Sequence, residues 1–181
     1  MSKIGKKNIN LPKDSSIKID GSVLTVTGPK GSQKLTINDK IFSSKINEKN
    51  EFQIMPLEKK VDKKTLIMWG TYRSKINNAV LGVSSGHEKI LELNGVGFRA
   101  NLKGENLNLQ LGFSHDINFK IPKDVKITVE KQTVIKINGV DKELVSKIAA
   151  DLKSLKPVEP YKGKGIKERN QYVLRKEGKK K

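Results

Sequence analysis

The chain has 181 residues, 35% hydrophobic and 31% charged, which suffices for one domain of ordinary size or two small ones. It carries 37 Lys or Arg against 19 Asp or Glu, a net charge of +18, and it has no Cys. That excludes disulfides and thiolate metal sites, and the two histidines, His87 and His115, cannot hold zinc without carboxylate help, so neither a metal nor a cofactor is expected.

Along the chain, Met1 to Leu11 has neither the apolar core of a signal peptide nor the Ser/Arg-rich character of a transit peptide. No apolar stretch approaches the ~20 residues that span a bilayer. A soluble protein, unprocessed beyond Met1 and kept in a reducing cytoplasm, is expected. Gly21-Ser22-Val23-Leu24-Thr25-Val26-Thr27-Gly28 is a turn followed by period-two alternation, the pattern of a strand after a hairpin turn. Gly28-Pro29-Lys30-Gly31 lacks the Gly-Lys-Ser/Thr ending of a phosphate loop and reads as the next hairpin. Asp62 is placed to cap a helix that would bury Leu66, Trp69, Ile76, Ala79, Val80 and Val83. From Gly82 to Glu88 the helical pattern is interrupted, and Ile90 starts another strand.

The second half repeats the first. Gly104 to Gly112 resembles Gly21 to Gly28 with a one-residue slip, and Val140-Asp141-Lys142-Glu143 matches Val61-Asp62-Lys63-Lys64 at an offset of 79. Strands are predicted over Phe98–Leu102, Ile117–Ile121, Val125–Val129 and Val134–Ile137, then a helix burying Leu144, Ile148, Leu152 and Leu155. One helix on one antiparallel sheet is the usual way for such a half to bury its apolar faces. The fold class is therefore α+β: two tandem, similar small domains, 1–82 and 83–156, each a mostly antiparallel sheet packed with a helix, followed by a basic extension, 157–181.

Catalytic readings fail on context. Gly95-Val96-Gly97-Phe98-Arg99-Ala100 fits the dinucleotide fingerprint in letters, but that motif must open a helix, whereas Phe98, Ala100 and Leu102 alternate as a strand does. These glycines read as a bend or bulge. Phe113-Ser114-His115-Asp116 sets a hydroxyl, an imidazole and a carboxylate in a row, yet neighbours in a strand or turn project in different directions, and a triad is assembled from distant residues. No enzyme is expected.

The charge distribution points elsewhere. Residues 1–82 hold 16 basic and 7 acidic side chains, 83–152 hold 10 and 9, and 153–181 hold 11 and 3. The body of the second half is nearly neutral while its tail carries +8, and charge on a protruding segment draws phosphate by counterion release. In Tyr161-Lys162-Gly163-Lys164-Gly165-Ile166, cations alternate with glycines, which disfavours a helix and lets the backbone approach a ligand closely. Lys162, Lys164 and Lys167 are candidates to reach phosphates. Tyr161 could stack on a base or pack on the second helix, and the sequence leaves both readings open.

These residues resemble a known family. Glu159-Pro160-Tyr161-Lys162-Gly163-Lys164-Gly165-Ile166 is similar to the C-terminal signature of the bacterial-type large-subunit ribosomal protein L-six family. Similarity extends over Ser2-Lys3-Ile4-Gly5-Lys6-Lys7, Gly28-Pro29-Lys30-Gly31, Gly70-Thr71-Tyr72-Arg73, Gly95 to Ala100, Leu111 to His115 and Arg175 to Lys180. Val158 stands where the signature commonly has Pro, and Asp116 stands where Pro usually follows the histidine. The resemblance implies a structural constituent of the large ribosomal subunit that binds large-subunit rRNA. It places the protein near the base of the lateral stalk, the sarcin-ricin region and the landing site of translation factors, with neighbouring ribosomal proteins as further partners and neither DNA nor membrane among them. The rRNA-binding candidates are Tyr161, Lys162, Gly163, Lys164, Gly165, Lys167, Arg169, Arg175, Lys176, Lys179 and Lys180, with Lys3, Lys6 and Lys7 in the first half. The competing reading is a free-standing RNA-binding or RNA-chaperone module, although the scattered aromatics, 5% of residues, lack the pattern of an RNA-recognition sheet.

Overall fold

The computed structural model describes residues 3–47, 50–58 and 62–178, and the chain forms two compact units that part between Gly86 and His87. In the first, six strands precede a helix: β1 (Ile9–Asn10), β2 (Ser16–Asp20), β3 (Val23–Gly28), β4 (Gly31–Thr36), β5 (Phe42–Ile46), β6 (Glu51–Pro56) and α1 (Lys63–Ser84). Alternation builds the strands: Leu24 and Val26 of β3, and Phe52 and Ile54 of β6, are buried, while the residues between them are half-buried. The strands pair antiparallel as β2-β3-β4 and β1-β6-β5. The Asp62 carboxylate accepts from the Lys63 N–H at 2.7 Å and caps α1 as predicted. Trp69, Ile76, Ala79, Val80 and Val83 are buried on this helix, and the Trp69 indole N–H donates to the Ile54 carbonyl at 2.7 Å. Leu66, expected in the same stripe, is only half-buried.

The second unit comprises β7 (His87–Asn94), β8 (Arg99–Lys103), β9 (Asn106–Gln110), β10 (Ile117–Lys120), β11 (Val125–Glu130), β12 (Val134–Gly139), α2 (Lys142–Leu155) and β13 (Gly165–Glu168). Its sheets are β8-β9-β10 and β11-β12-β7-β13, again antiparallel. Asp141 caps α2 by accepting from the Glu143 N–H at 2.8 Å. The buried face of α2 is Val145, Ile148, Ala149 and Leu152. Leu144 and Leu155, predicted in that face, are partly buried at the margin of the core, so the stripe centres on Ile148 and Leu152 but leans toward Val145.

The two units share pairing register residue for residue. Phe42 opposes Pro56 and Val125 opposes Gly139; Ile17 opposes Val26 and Ala100 opposes Leu109; every member of the second pair lies 83 places beyond its counterpart. Gly21 and Gly104, at φ 58° and 60°, make the same left-handed turn at that offset, so the expected one-residue slip does not enter at this turn or in the strands that flank it. The slip arises later, in the loop between β9 and β10, which is longer than the two-residue connection of β3 to β4.

Segment 157–181, read as an extension, contributes to the fold as well. Gly165–Glu168 is the fourth strand of the β7 sheet, and Ile166 is 1% exposed in the core. A segment written with lysines and glycines does not look like core, but one Ile per tetrapeptide suffices for a strand that is pinned along an available edge.

Candidate nucleic-acid interface

Pro157 disfavours helical geometry in the residue before it, and α2 accordingly stops at Leu155. The chain then turns tightly: the Glu159 N–H donates to the Lys164 carbonyl at 2.8 Å, and the Gly163 N–H to the Glu159 carbonyl at 3.0 Å. Gly163 takes φ 69°, a conformation that strains any residue with a Cβ. After β13 the chain folds back, with the Arg169 N–H on the Ile90 carbonyl and the Lys176 N–H on the Pro160 carbonyl, both at 3.0 Å. Arg175 lies beside Gly163, its Nη2 3.5 Å from where a Cβ would stand. Turn 159–164 and residues 175–176 thus form one surface, on which Tyr161, Lys162, Lys164, Arg175 and Lys176 are all exposed. Four cations held around an aromatic that is 54% exposed make a site where phosphates can be gripped and a flat ring met.

Other candidates are placed differently. Gly165 is buried, and a Cβ there would come within 2.7 Å of the Pro157 carbonyl oxygen and the Val158 Cα, so its missing side chain serves contact with the protein's own backbone rather than approach to a ligand. Lys167 pairs with Glu92 across β13 and β7 at 3.2 Å, which ties it to the sheet instead of leaving it to reach out. Arg169 is exposed at the far end of β13, and Lys179 and Lys180 lie outside the described residues. Lys3, Lys6 and Lys7 belong to the first unit, exposed on a turn closed by the Lys7 N–H on the Ile4 carbonyl at 3.2 Å. Gly5 in that turn is buried, and a Cβ on it would lie 2.5 Å from the Trp69 ring, so the indole seats the turn.

Carboxylates lock the base of the interface. Glu168 accepts from Lys153 at 2.8 Å and from Lys89 at 2.7 Å, and these hydrogen bonds, Lys153 foremost, hold its carboxyl below the ordinary pKa against a smaller opposing effect of burial. Lys153, Lys89 and Lys167 are thus engaged with acids, and the cations presented outward are those of the turn and the returning tail. The sequence offered no sign of this division, because ion pairing across a sheet depends on a strand whose existence rests on tertiary contact.

The remaining motifs settle as loops. Gly95–Phe98 is a turn between β7 and β8, with the Phe98 N–H on the Gly95 carbonyl at 3.3 Å, and a strand rather than a helix follows, so the fingerprint has no helix N-terminus to hold a pyrophosphate. In the β9–β10 loop the His115 ring stacks on Phe113, and Asp116 accepts from Gln110 Nε2 at 3.4 Å. Tyr172, 85% exposed in the returning tail, is not among the residues that the sequence pattern singles out. Its signal was its spacing, midway between Arg169 and Arg175 in the most basic segment of the chain.

Similarity to known proteins follows the same lines. The family model described as "Ribosomal protein L6" matches this chain twice, over residues 11–86 and 94–169, again 83 places apart. Proteins named large ribosomal subunit protein uL6 are 46% identical over 179 residues in Staphylococcus carnosus and 45% over 180 in Staphylococcus epidermidis, in each case covering 99% of this chain and 98% of the relative. The protein of that name from Beijerinckia indica is 44% identical over 181 residues, 100% of both chains. A doubled family match over two units of common register, with similarity running end to end, establishes that the chain belongs to the ribosomal protein L6 family.

Proposed function

We propose that this chain is a structural constituent of the large ribosomal subunit in the cytoplasm and that it binds large-subunit rRNA through the second unit. The observation that carries this reading is the fold-back that gathers Tyr161, Lys162, Lys164, Arg175 and Lys176 on one exposed surface, in a chain of a ribosomal family. A ribosomal protein has no reaction to catalyse; its work is to hold RNA in shape. Ammonium groups dominate the charge, 33 Lys against 4 Arg, which suits phosphate contact more than base-edge reading. Lys3, Lys6 and Lys7 are a second set of phosphate contacts on the first unit. On this reading the protein sits near the stalk base and the translation-factor region, beside other large-subunit proteins, as the family resemblance implies.

A salt titration of the full chain on a large-subunit rRNA transcript tests this. Lys162→Gln with Lys164→Gln should weaken binding and make the slope of log affinity against log salt shallower by about 1.4 to 1.8, at ~0.7 to 0.9 per phosphate contact. Lys167→Gln should leave the slope unchanged, since Glu92 holds that ammonium. An unaltered slope and affinity in the double variant would refute the reading. Sedimentation separates the ribosomal role from a free-standing RNA-binding module: stoichiometric retention on large subunits in high salt fits the first, and a salt-labile, substoichiometric fraction fits the second.

A further inference from the structure

We infer that the β9–β10 loop carries a second RNA contact, a stacking platform for an unpaired base built from Phe113, His115 and Lys156; this rests on the rRNA-binding reading above and extends it. Phe113 is 43% exposed on a polar loop, so packing into the core does not account for it. Its ring lies 6.1 Å from that of His115, centroid to centroid and 23° from parallel, and the Lys156 ammonium stands 4.3 Å from its centroid. His115 is exposed, and Asp116, the acid of the loop, is turned to Gln110 at 3.4 Å. A stacked pair of rings with an ammonium over the Phe113 ring, and the His115 ring exposed beside it, offers a π surface for a base and a charge for its phosphate, the combination by which single-stranded nucleic acid is held without reading sequence.

The first unit supplies the contrast that points to ligand binding. There the corresponding hairpin, Gly28 to Gly31, is packed down: the Lys30 N–H donates to the Val83 carbonyl of α1 at 2.9 Å, and a Cβ on Gly28 would come within 2.7 Å of the same oxygen. In the second unit the longer loop stands out with two rings on it. Lys156 also joins this platform to the basic arm made of turn 159–164 and the returning tail, because its carbonyl accepts from the Ile166 N–H of β13 at 2.9 Å, a few residues from the Tyr161 turn.

The test is a salt titration of the full chain on the same large-subunit rRNA transcript, with a melting curve for each variant. Phe113→Leu should weaken binding by about 5- to 100-fold while leaving the salt slope as it is, since stacking releases no counterions. Phe113→Tyr, which keeps the ring, should bind like the parent protein. Parent-like affinity for Phe113→Leu, where Lys162→Gln with Lys164→Gln does weaken binding and flatten the slope, would overturn the platform and leave the arm standing. If neither variant alters binding, the rRNA reading itself falls. Should Phe113→Leu also lower the melting temperature, His115→Ala decides: weakened binding by a stably folded variant supports the platform, and unchanged binding overturns it.

Discussion

In the first unit the outward edge of β1 is met by a side chain; in the second the outward edge of β7 is met by a strand. Ile9 opposes Phe52 as Leu91 opposes Ile135, which puts Asn8 and Ile90 at matching positions in the two sheets. The Asn8 carbonyl accepts from Arg73 Nη2 at 3.2 Å, and Arg73 Nε donates to the Lys7 carbonyl at 3.2 Å. The Ile90 carbonyl accepts from the Arg169 backbone N–H at 3.0 Å, just beyond β13. An open sheet edge invites pairing with other chains, and the two units have met that liability by different means. The guanidinium answers carbonyls only, whereas β13 pairs donors and acceptors alike and brings basic segments with it on both sides. What distinguishes the second unit is therefore one added strand, which both closes its sheet and anchors the basic segments on either side of it.

The largest effects should come from the cores, and they probe whether the units stand apart energetically. Ile148 is 2% exposed in α2 and Ile76 is 0% exposed in α1, so replacing either by Ala should cost roughly 2 to 5 kcal/mol. Calorimetry of the full chain should show Ile148→Ala lowering one unfolding transition and Ile76→Ala the other. If both variants displaced a single common transition, the units would fold as one.

Much of this architecture was legible because it is written locally. Alternation marked β3 and β9, Gly21 and Gly104 marked their turns, and Asp62 and Asp141 marked where helices begin. What escaped was settled by tertiary contact. Gly165–Glu168 has a single core residue and becomes a strand only because β7 offers an edge; Leu144 yields to Val145 because leucine spacing gives a helical face only to within a residue. The candidate site was legible in composition but not in geometry. The lysines of the arm could be counted, yet only the fold separates Lys162 and Lys164, which face outward, from Lys167, which is paired with Glu92.

A second comparison is sharpened by glycines, since each unit seats a basic segment through one that leaves no room for a Cβ. Gly5→Ala would drive its methyl into the Trp69 ring, and Gly165→Ala into the backbone at Pro157 and Val158. Each should cost about 1 to 3 kcal/mol by overpacking. Trp69 fluorescence should change in the first variant alone. Hydrogen exchange of the β13 amides should accelerate in the second alone, and loss of rRNA affinity should accompany that acceleration. Unchanged exchange at β13 in Gly165→Ala would mean that the strand is held without this close approach.

The two edge closures differ in strength, and removing the guanidinium measures the weaker. Arg73→Ala deletes two charge-assisted hydrogen bonds, but at an exposed edge where water replaces them, so about 1 kcal/mol is expected. Arg73→Lys should recover little of it, since an ammonium lacks the planar fork that spans adjacent carbonyls. Exchange at the amides of Lys7 to Asn10 is the measurement. Equal protection in the parent and both variants would show that the edge of β1 does not depend on Arg73.

The smallest effect separates the units by pH. Glu168 links β13 to both β7 and α2, through Lys89 and Lys153, and its carboxyl is held below the ordinary pKa. A lowered folded-state pKa contributes stability that is complete above the unfolded value, about 4.3 for Glu, and is lost as pH falls through the folded value. The side chains are about one-third exposed, so solvent screens the pairs and the contribution should stay under about 1 kcal/mol. Between neutral pH and pH 3, protection of the β13 amides should therefore fall by more than the general acid destabilisation of the second unit. In Glu168→Gln, which cannot ionise, the β13 amides should already be less protected at neutral pH, and that excess acid loss should vanish. The same acid loss in both proteins would show that protonation of Glu168 is not what loosens β13.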